Sequence, residues 1–164
     1  MTIRKVSVER FSVISLRPFD AIMATLGERI GHPDMAAFRR SISEAQTESE
    51  LETVVQRAVG PADLMEFSRF HLGEVLRKES GATMSRSVRL VVGNPLIMKQ
   101  MVKLVPDAGS YAPVTILIDE RQDGIHLSYD RMASFLAPYG NAEALQVARD
   151  LDAKVEALLT AAAG

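Results

Sequence analysis

The sequence predicts an α+β fold, an α/β sandwich in which a mixed β-sheet of about five strands with a C-terminal hairpin is packed by helices. Three observations carry this. Strand-length apolar runs, such as APVTILI at 112–118, alternate with segments of helical periodicity. Asp123-Gly124 sits between two such runs and signals a hairpin. Helices flank most strands without the strict alternation of a doubly wound sheet.

The elements follow in order. Val6 to Leu16 reads as a strand, with Val6, Val8 and Phe11–Val13 apolar. Pro18 suits the first position of a helix, where its missing N–H costs nothing. Phe19, Ile22, Met23, Leu26 and Ile30 then repeat at helical spacing until Gly31-His32-Pro33. A second helix is predicted from Pro33 to about Ala45, with Met35, Phe38 and Ile42 inward. A third begins at TESELETVV, where Thr47 with Glu50, or Ser49 with Glu52, forms a capping box. Together, residues 33–60 read as a helical elaboration on a single domain spanning 1–164, most simply a packing layer.

Leu64 to Phe70 is the second predicted strand, followed by a short helix over Leu72 to Ser80 that Gly81 stops. Met84 to Val92 is the third strand, with Arg86 and Arg89 on opposite faces by parity. Pro95 to Val105 is a helix, and Ala112 to Asp119 and Ile125 to Asp130 form the hairpin. Met132 to Leu136 makes one helical turn, with Asp130 as its expected N-cap. The last helix starts at Asn141, another N-cap, and carries Leu145, Ala148, Leu151, Val155, Leu158 and Leu159 on one stripe. Asp150 and Lys154 are expected to pair at i,i+4. The tail Thr160 to Gly164 is expected to fray.

Composition narrows the function. There are 164 residues and no cysteine, which excludes disulfides, thiolate metal sites and cysteine nucleophiles. Lys and Arg total 19 against 21 Asp and Glu, for a net charge of −2. So balanced a chain has no general field toward nucleic acid or a membrane surface. No stretch approaches the roughly 20 apolar residues that span a bilayer. The N-terminus lacks the apolar run of a signal peptide. A cytoplasmic location is expected.

From Leu64 onward the residues resemble a known family. The carrying features are Gly93-Asn94-Pro95 after a strand, then Val105-Pro106-Asp107-Ala108-Gly109-Ser110-Tyr111-Ala112-Pro113 leading into the central strand. Ser128-Tyr129-Asp130 at a strand end and an A-x-x-L-D-x-K helix complete the set. In this order and spacing they resemble the bacterial and archaeal domain of unknown function 302 family. The resemblance implies a mixed sheet with helices and frequent dimers. It implies no activity, so cofactor and reaction stay unassigned.

The candidate chemistry centres on Gly93-Asn94-Pro95. A helix N-terminus collects free N–H groups and partial positive charge, which suits an anion. By parity Arg89 shares a strand face with Gly93 and could pair with that anion. Tyr111 and His71 could orient it. The competing reading is that Gly-Asn-Pro only caps a helix, since no GxGxxG or GxxxxGK[ST] fingerprint occurs. His71, between a strand and a helix, could instead serve as an acid/base group with Tyr111 or Glu74. His32 and His126 have no ligand-like spacing. Met98 and Met101, three apart on one helix, fit core filling or an adaptable interface better than a soft-metal site.

Three readings result. The first is a self-associating module, expected as a homodimer, that binds a small anion through Arg89, Gly93, Asn94, Tyr111 and His71, without metal. The second is an enzyme built on His71. The third is a structural dimer without ligand.

Overall fold

The computed structural model describes residues 1, 3–80 and 86–164. In chain order these form β1 (Arg10–Ser15), α1 (Phe19–Arg29), α2 (Met35–Glu44), α3 (Glu48–Ala58), β2 (Met65–His71) and α4 (Leu72–Ser80). There follow β3 (Ser87–Gly93), α5 (Pro95–Val102), β4 (Val114–Arg121), β5 (Gly124–Asp130), α6 (Met132–Leu136) and α7 (Ala142–Ala163). Short 3₁₀ turns occupy Pro106–Ser110 and Ala137–Tyr139. Gly81 and Met84, expected to end a helix and open a strand, lie outside the described residues.

The strands form one sheet in the order β1-β5-β4-β3-β2. The α+β architecture is as expected, but all four pairings are antiparallel, where a mixed sheet was expected. The connections show how: the tight turn after Arg121 forces β5 back along β4, and the α4 and α5 connections each deliver the next strand at the end where the previous one finished. The hairpin turns at Gln122-Asp123, and Gly124 adopts φ 136. A side chain there would press within 2.7 Å of the Ser15 carbonyl oxygen.

Strand parity separates the two faces. Val88, Leu90, Val92, Val114, Ile116, Ile118, Ile125, Leu127 and Tyr129 point inward and are buried under α1, α5, α6 and α7. Each such side chain stabilises the fold by about 1.5–3 kcal/mol. The outer face carries Ser12, Ile14, Arg89, Leu117 and Ser128, and Ile14 and Arg89 are exposed.

Residues 33–60 form a packing layer. Phe38, Val55 and Ala58 bury against Met65 of β2, with Leu96 of α5 beside them. Asp34 caps α2 by accepting from the Ala37 N–H, a later start than the Pro33 expected. The capping box expected at Thr47 forms in one half: its hydroxyl accepts from the Glu50 N–H, while the Glu50 carboxylate reaches one residue further back, to the Gln46 N–H. Gly31 and Gly60 let two chain segments touch. A Cβ on Gly31 would lie 2.0 Å from the Ala58 oxygen.

The C-terminal tail is docked where fraying was expected. Arg17 donates to the Ala162 carbonyl at 2.6 Å, and the Ser15 hydroxyl donates to that of Ala163 at 2.6 Å. Those last carbonyls lack partners within their own helix, and β1 and its exit supply them.

Candidate functional site

β3 and β5 run in the same direction, each antiparallel to β4, so Gly93 and Asp130 share one end of the sheet. There β3 passes into α5 through Gly93-Asn94-Pro95. Beside this junction lies a cavity of about 120 Å³. Phe67, Met98, Met101, Pro113 and Leu151 help to line it, with Gly93 and Asn94. β2, β3, α5, the approach to β4 and α7 all contribute. The wall is apolar apart from Asn94. A Cβ on Gly93 would come 3.2 Å from the Pro113 Cβ and 3.5 Å from the Phe67 ring, so glycine keeps that wall open.

The Asn94 side chain of the junction is already engaged. Asn94 is buried; its Oδ1 accepts from the Leu96 N–H at 2.9 Å. Its Nδ2 donates to the carbonyl and the carboxylate of Asp63, at 3.1 and 2.9 Å. Pro95 has no N–H to offer. Asp63, held at φ 58, therefore sets a carboxylate beside the junction, and Lys154 pairs with it at 3.0 Å. This is a correction to the expected Asp150–Lys154 pair: Asp150 instead accepts from Gln146. Of the first-turn donors of α5, Pro95 has none and that of Leu96 is taken, so the terminus offers an anion little beside the Asp63 carboxylate.

The five predicted residues do not converge. Gly93 and Asn94 line the corner cavity. Arg89 lies four residues back along an extended strand, roughly 13 Å away by strand rise. Its guanidinium sits on the outer face, 5.7 Å from the centre of the Phe70 ring. His71 pairs with Val88 and so lies toward the opposite end of the sheet. It is exposed in a cleft of about 320 Å³ with Glu74, Arg69 and Arg86. Among the described residues His71 makes no hydrogen bond or ion pair. Both arginines of that cleft are held by acids, Arg69 by Glu66 and Arg86 by Glu120 and Asp20.

Tyr111 turns away from the corner. Its ring stacks on Phe135, centroids 4.8 Å apart, and its hydroxyl lies 3.2 Å from that of Tyr139. This hydrogen bond, with desolvation, raises the Tyr139 phenol above its ordinary value. Tyr111 and His71 are therefore not an acid/base pair. The other two histidines are structural: His126 lies 2.8 Å from Asp123, and His32 lies 3.0 Å from the Gly27 carbonyl.

A second polar centre at the same end of the sheet was missed by sequence reasoning. Asp152 of α7 is wholly buried. It accepts from the Tyr129 hydroxyl at 2.6 Å and from the Met132 and Ala133 N–H groups at 2.7 and 3.1 Å. It therefore caps α6, the role expected of Asp130. Asp130 binds Arg10 instead, at 2.6 and 2.9 Å. Burial, and then the Asp152 charge, push the Tyr129 phenol well above its ordinary range.

No helix among the described residues is long and apolar enough to cross a membrane. Among the same residues, no group of three or more His, Asp or Glu is placed to hold a metal ion.

The model of the family described as Domain of unknown function DUF302 matches residues 40–162, from within α2 to the end of α7. No curated protein matches the chain. A crystal structure of the uncharacterized conserved protein DUF302 from Bacillus stearothermophilus superposes with a TM-score of 0.65 at 12% identity. The superposition covers 94% of this chain and 98% of that one, and at that identity the likeness concerns the fold.

Proposed function

The chain belongs to the family Domain of unknown function DUF302, and from that premise we propose that it is a small-molecule-binding module whose ligand is apolar. The corner cavity beside Gly93-Asn94-Pro95 is the site. One observation carries the reading: an apolar cavity of about 120 Å³ meets a junction whose one polar side chain, Asn94, is already paired. Cavities of roughly 150 Å³ with similar walls accept a benzene ring. The occupant is therefore a single small ring or a short alkyl group. Met98 and Met101 adapt the wall to its shape, since unbranched thioethers refit at low cost.

Benzene and toluene test this. Each should raise the melting temperature of the protein by mass action and perturb the amide resonances of Ile97 and Met101. Leu151→Phe or Met98→Phe, which fill the space, should abolish both responses while far-UV circular dichroism stays unchanged. Absence of any response in the wild-type chain sinks the reading, as does a response unaltered in either folded variant.

Self-association is a second reading, favoured by β1. It is an edge strand, and Ile14 and Leu16 on and beside it are exposed. An open edge is a template for another strand. Two copies pairing β1 to β1 would join their sheets about a two-fold axis. Light scattering should find a dimer at micromolar concentration and a monomer after Ile14→Lys. A wild-type monomer rules this out.

A further inference from the structure

We propose that the outer face of the sheet carries a second site, for a small organic carboxylate, with Arg89 as its charge partner. Sheet register builds it. Arg89 of β3 stands opposite Leu117 of β4, which stands opposite Ser128 of β5, so the three side chains form one row on the outer face. Thr115 lies two residues along β4 on the same face. With Leu72 and the Arg10–Asp130 pair they line a groove of about 190 Å³.

Charge decides the ligand class. Arg10, Arg69, Arg86 and Arg121, on or next to the same strands, each hold a carboxylate. Arg89, among the described residues, holds none; its guanidinium only faces the Phe70 ring, 5.7 Å from its centre. Arg10 and Asp130 cancel each other within the groove, which leaves, among the described residues, one uncompensated positive charge. A guanidinium presents its donors as a fork that fits a carboxylate with two parallel bonds. The hydroxyls of Ser128 and Thr115 are half-buried and, among the described residues, make no side-chain hydrogen bond. They can donate to the same anion from across the row. Leu72 and Leu117 supply an apolar wall, which suits the hydrocarbon part of a monocarboxylate. One cation and two hydroxyls match a single negative charge, and a phosphate dianion would be left half-neutralised.

Titration with butyrate, succinate and inorganic phosphate, followed by amide resonances, tests the assignment. Butyrate should saturate and shift Arg89, Leu117 and Ser128, while Ile97 and Met101 at the corner cavity stay unmoved. Arg89→Gln should weaken butyrate about tenfold or more, since it removes the charge from the bond. Arg89→Lys should recover part of the loss, and Arg121→Gln should leave binding unchanged. Phosphate binding tighter than butyrate overturns the carboxylate assignment. No saturation below about 50 mM, a concentration at which even a bond worth about 2 kcal/mol is detectable, overturns the site itself. So does equal binding by a folded Arg89→Gln protein.

Discussion

Two strand-to-helix junctions lie at the same end of the sheet, and they are built in opposite ways. β3 enters α5 through Asn94, which caps the helix from its own N-cap position. β5 enters α6 through Arg131, whose side chain caps nothing; the α6 N–H groups are taken by Asp152, twenty residues downstream on α7. The first junction is satisfied locally and leaves an apolar hole beside it. The second is filled by a buried carboxylate that ties α6, α7 and Tyr129 together. The difference shows where chemistry is available. Among the described residues neither junction has unpaired charge, so a ligand proposed for this end of the sheet would be held by shape and hydrophobic contact. Electrostatic recognition belongs, on the inference above, to the outer face.

Removing the two caps separates these roles, and the larger effect belongs to Asp152. Asp152→Ala removes the acceptor of the buried Tyr129 phenol and of the half-buried Ala133 N–H, leaves the Met132 N–H only the Tyr129 oxygen at 3.1 Å, and should destabilise the fold by about 3 kcal/mol in urea unfolding. Asn94→Ala removes a local cap and leaves the Asp63 carbonyl short of a donor. Its expected cost is about 1–2 kcal/mol. Equal losses in the two variants would mean that the remote cap contributes no more than the local one, and the contrast between the junctions would collapse.

The same contrast explains how much could be read from the sequence. Asn94, Thr47 and Asn141 are caps within three residues of the N–H they accept, so residue type and spacing reveal them. Asp152 has no such signature: on its helix it is one more acidic residue beside an apolar stripe, and only the packing of α7 brings it to α6. Lys154 was misassigned for the same reason. Its i,i+4 neighbour Asp150 is visible in sequence, but Asp63, its partner, is 91 residues away. The distance of Arg89 from the junction is legible in the sequence. Parity puts it on the face of Gly93, but strand rise sets it too far back to reach the Asn94 junction. The cavity lining was partly legible. Gly93 and the i,i+3 pair Met98 and Met101 pointed to the corner, while Phe67, Pro113 and Leu151 join it only through the fold.

The smallest predicted effect tests whether charge at the opposite end of the sheet matters to stability at all. Arg86 donates to Glu120 from its backbone N–H at 3.0 Å and from its guanidinium at 3.2 and 3.3 Å. These bonds, the side-chain ones foremost, lower the Glu120 carboxyl below its ordinary value. A carboxylate whose value is lowered on folding stabilises the native state above its unfolded value, and that contribution fades as pH falls through the folded one. The window is roughly pH 5 to 3. Solvent screens the pair, so the contribution is at most about 0.5 kcal/mol. Arg86→Met should therefore flatten the fall in stability slightly across that window and leave the response to benzene at the corner cavity unchanged. A larger change in slope would mean that the pair is shielded from water, and an altered benzene response would mean that the two ends of the sheet are coupled.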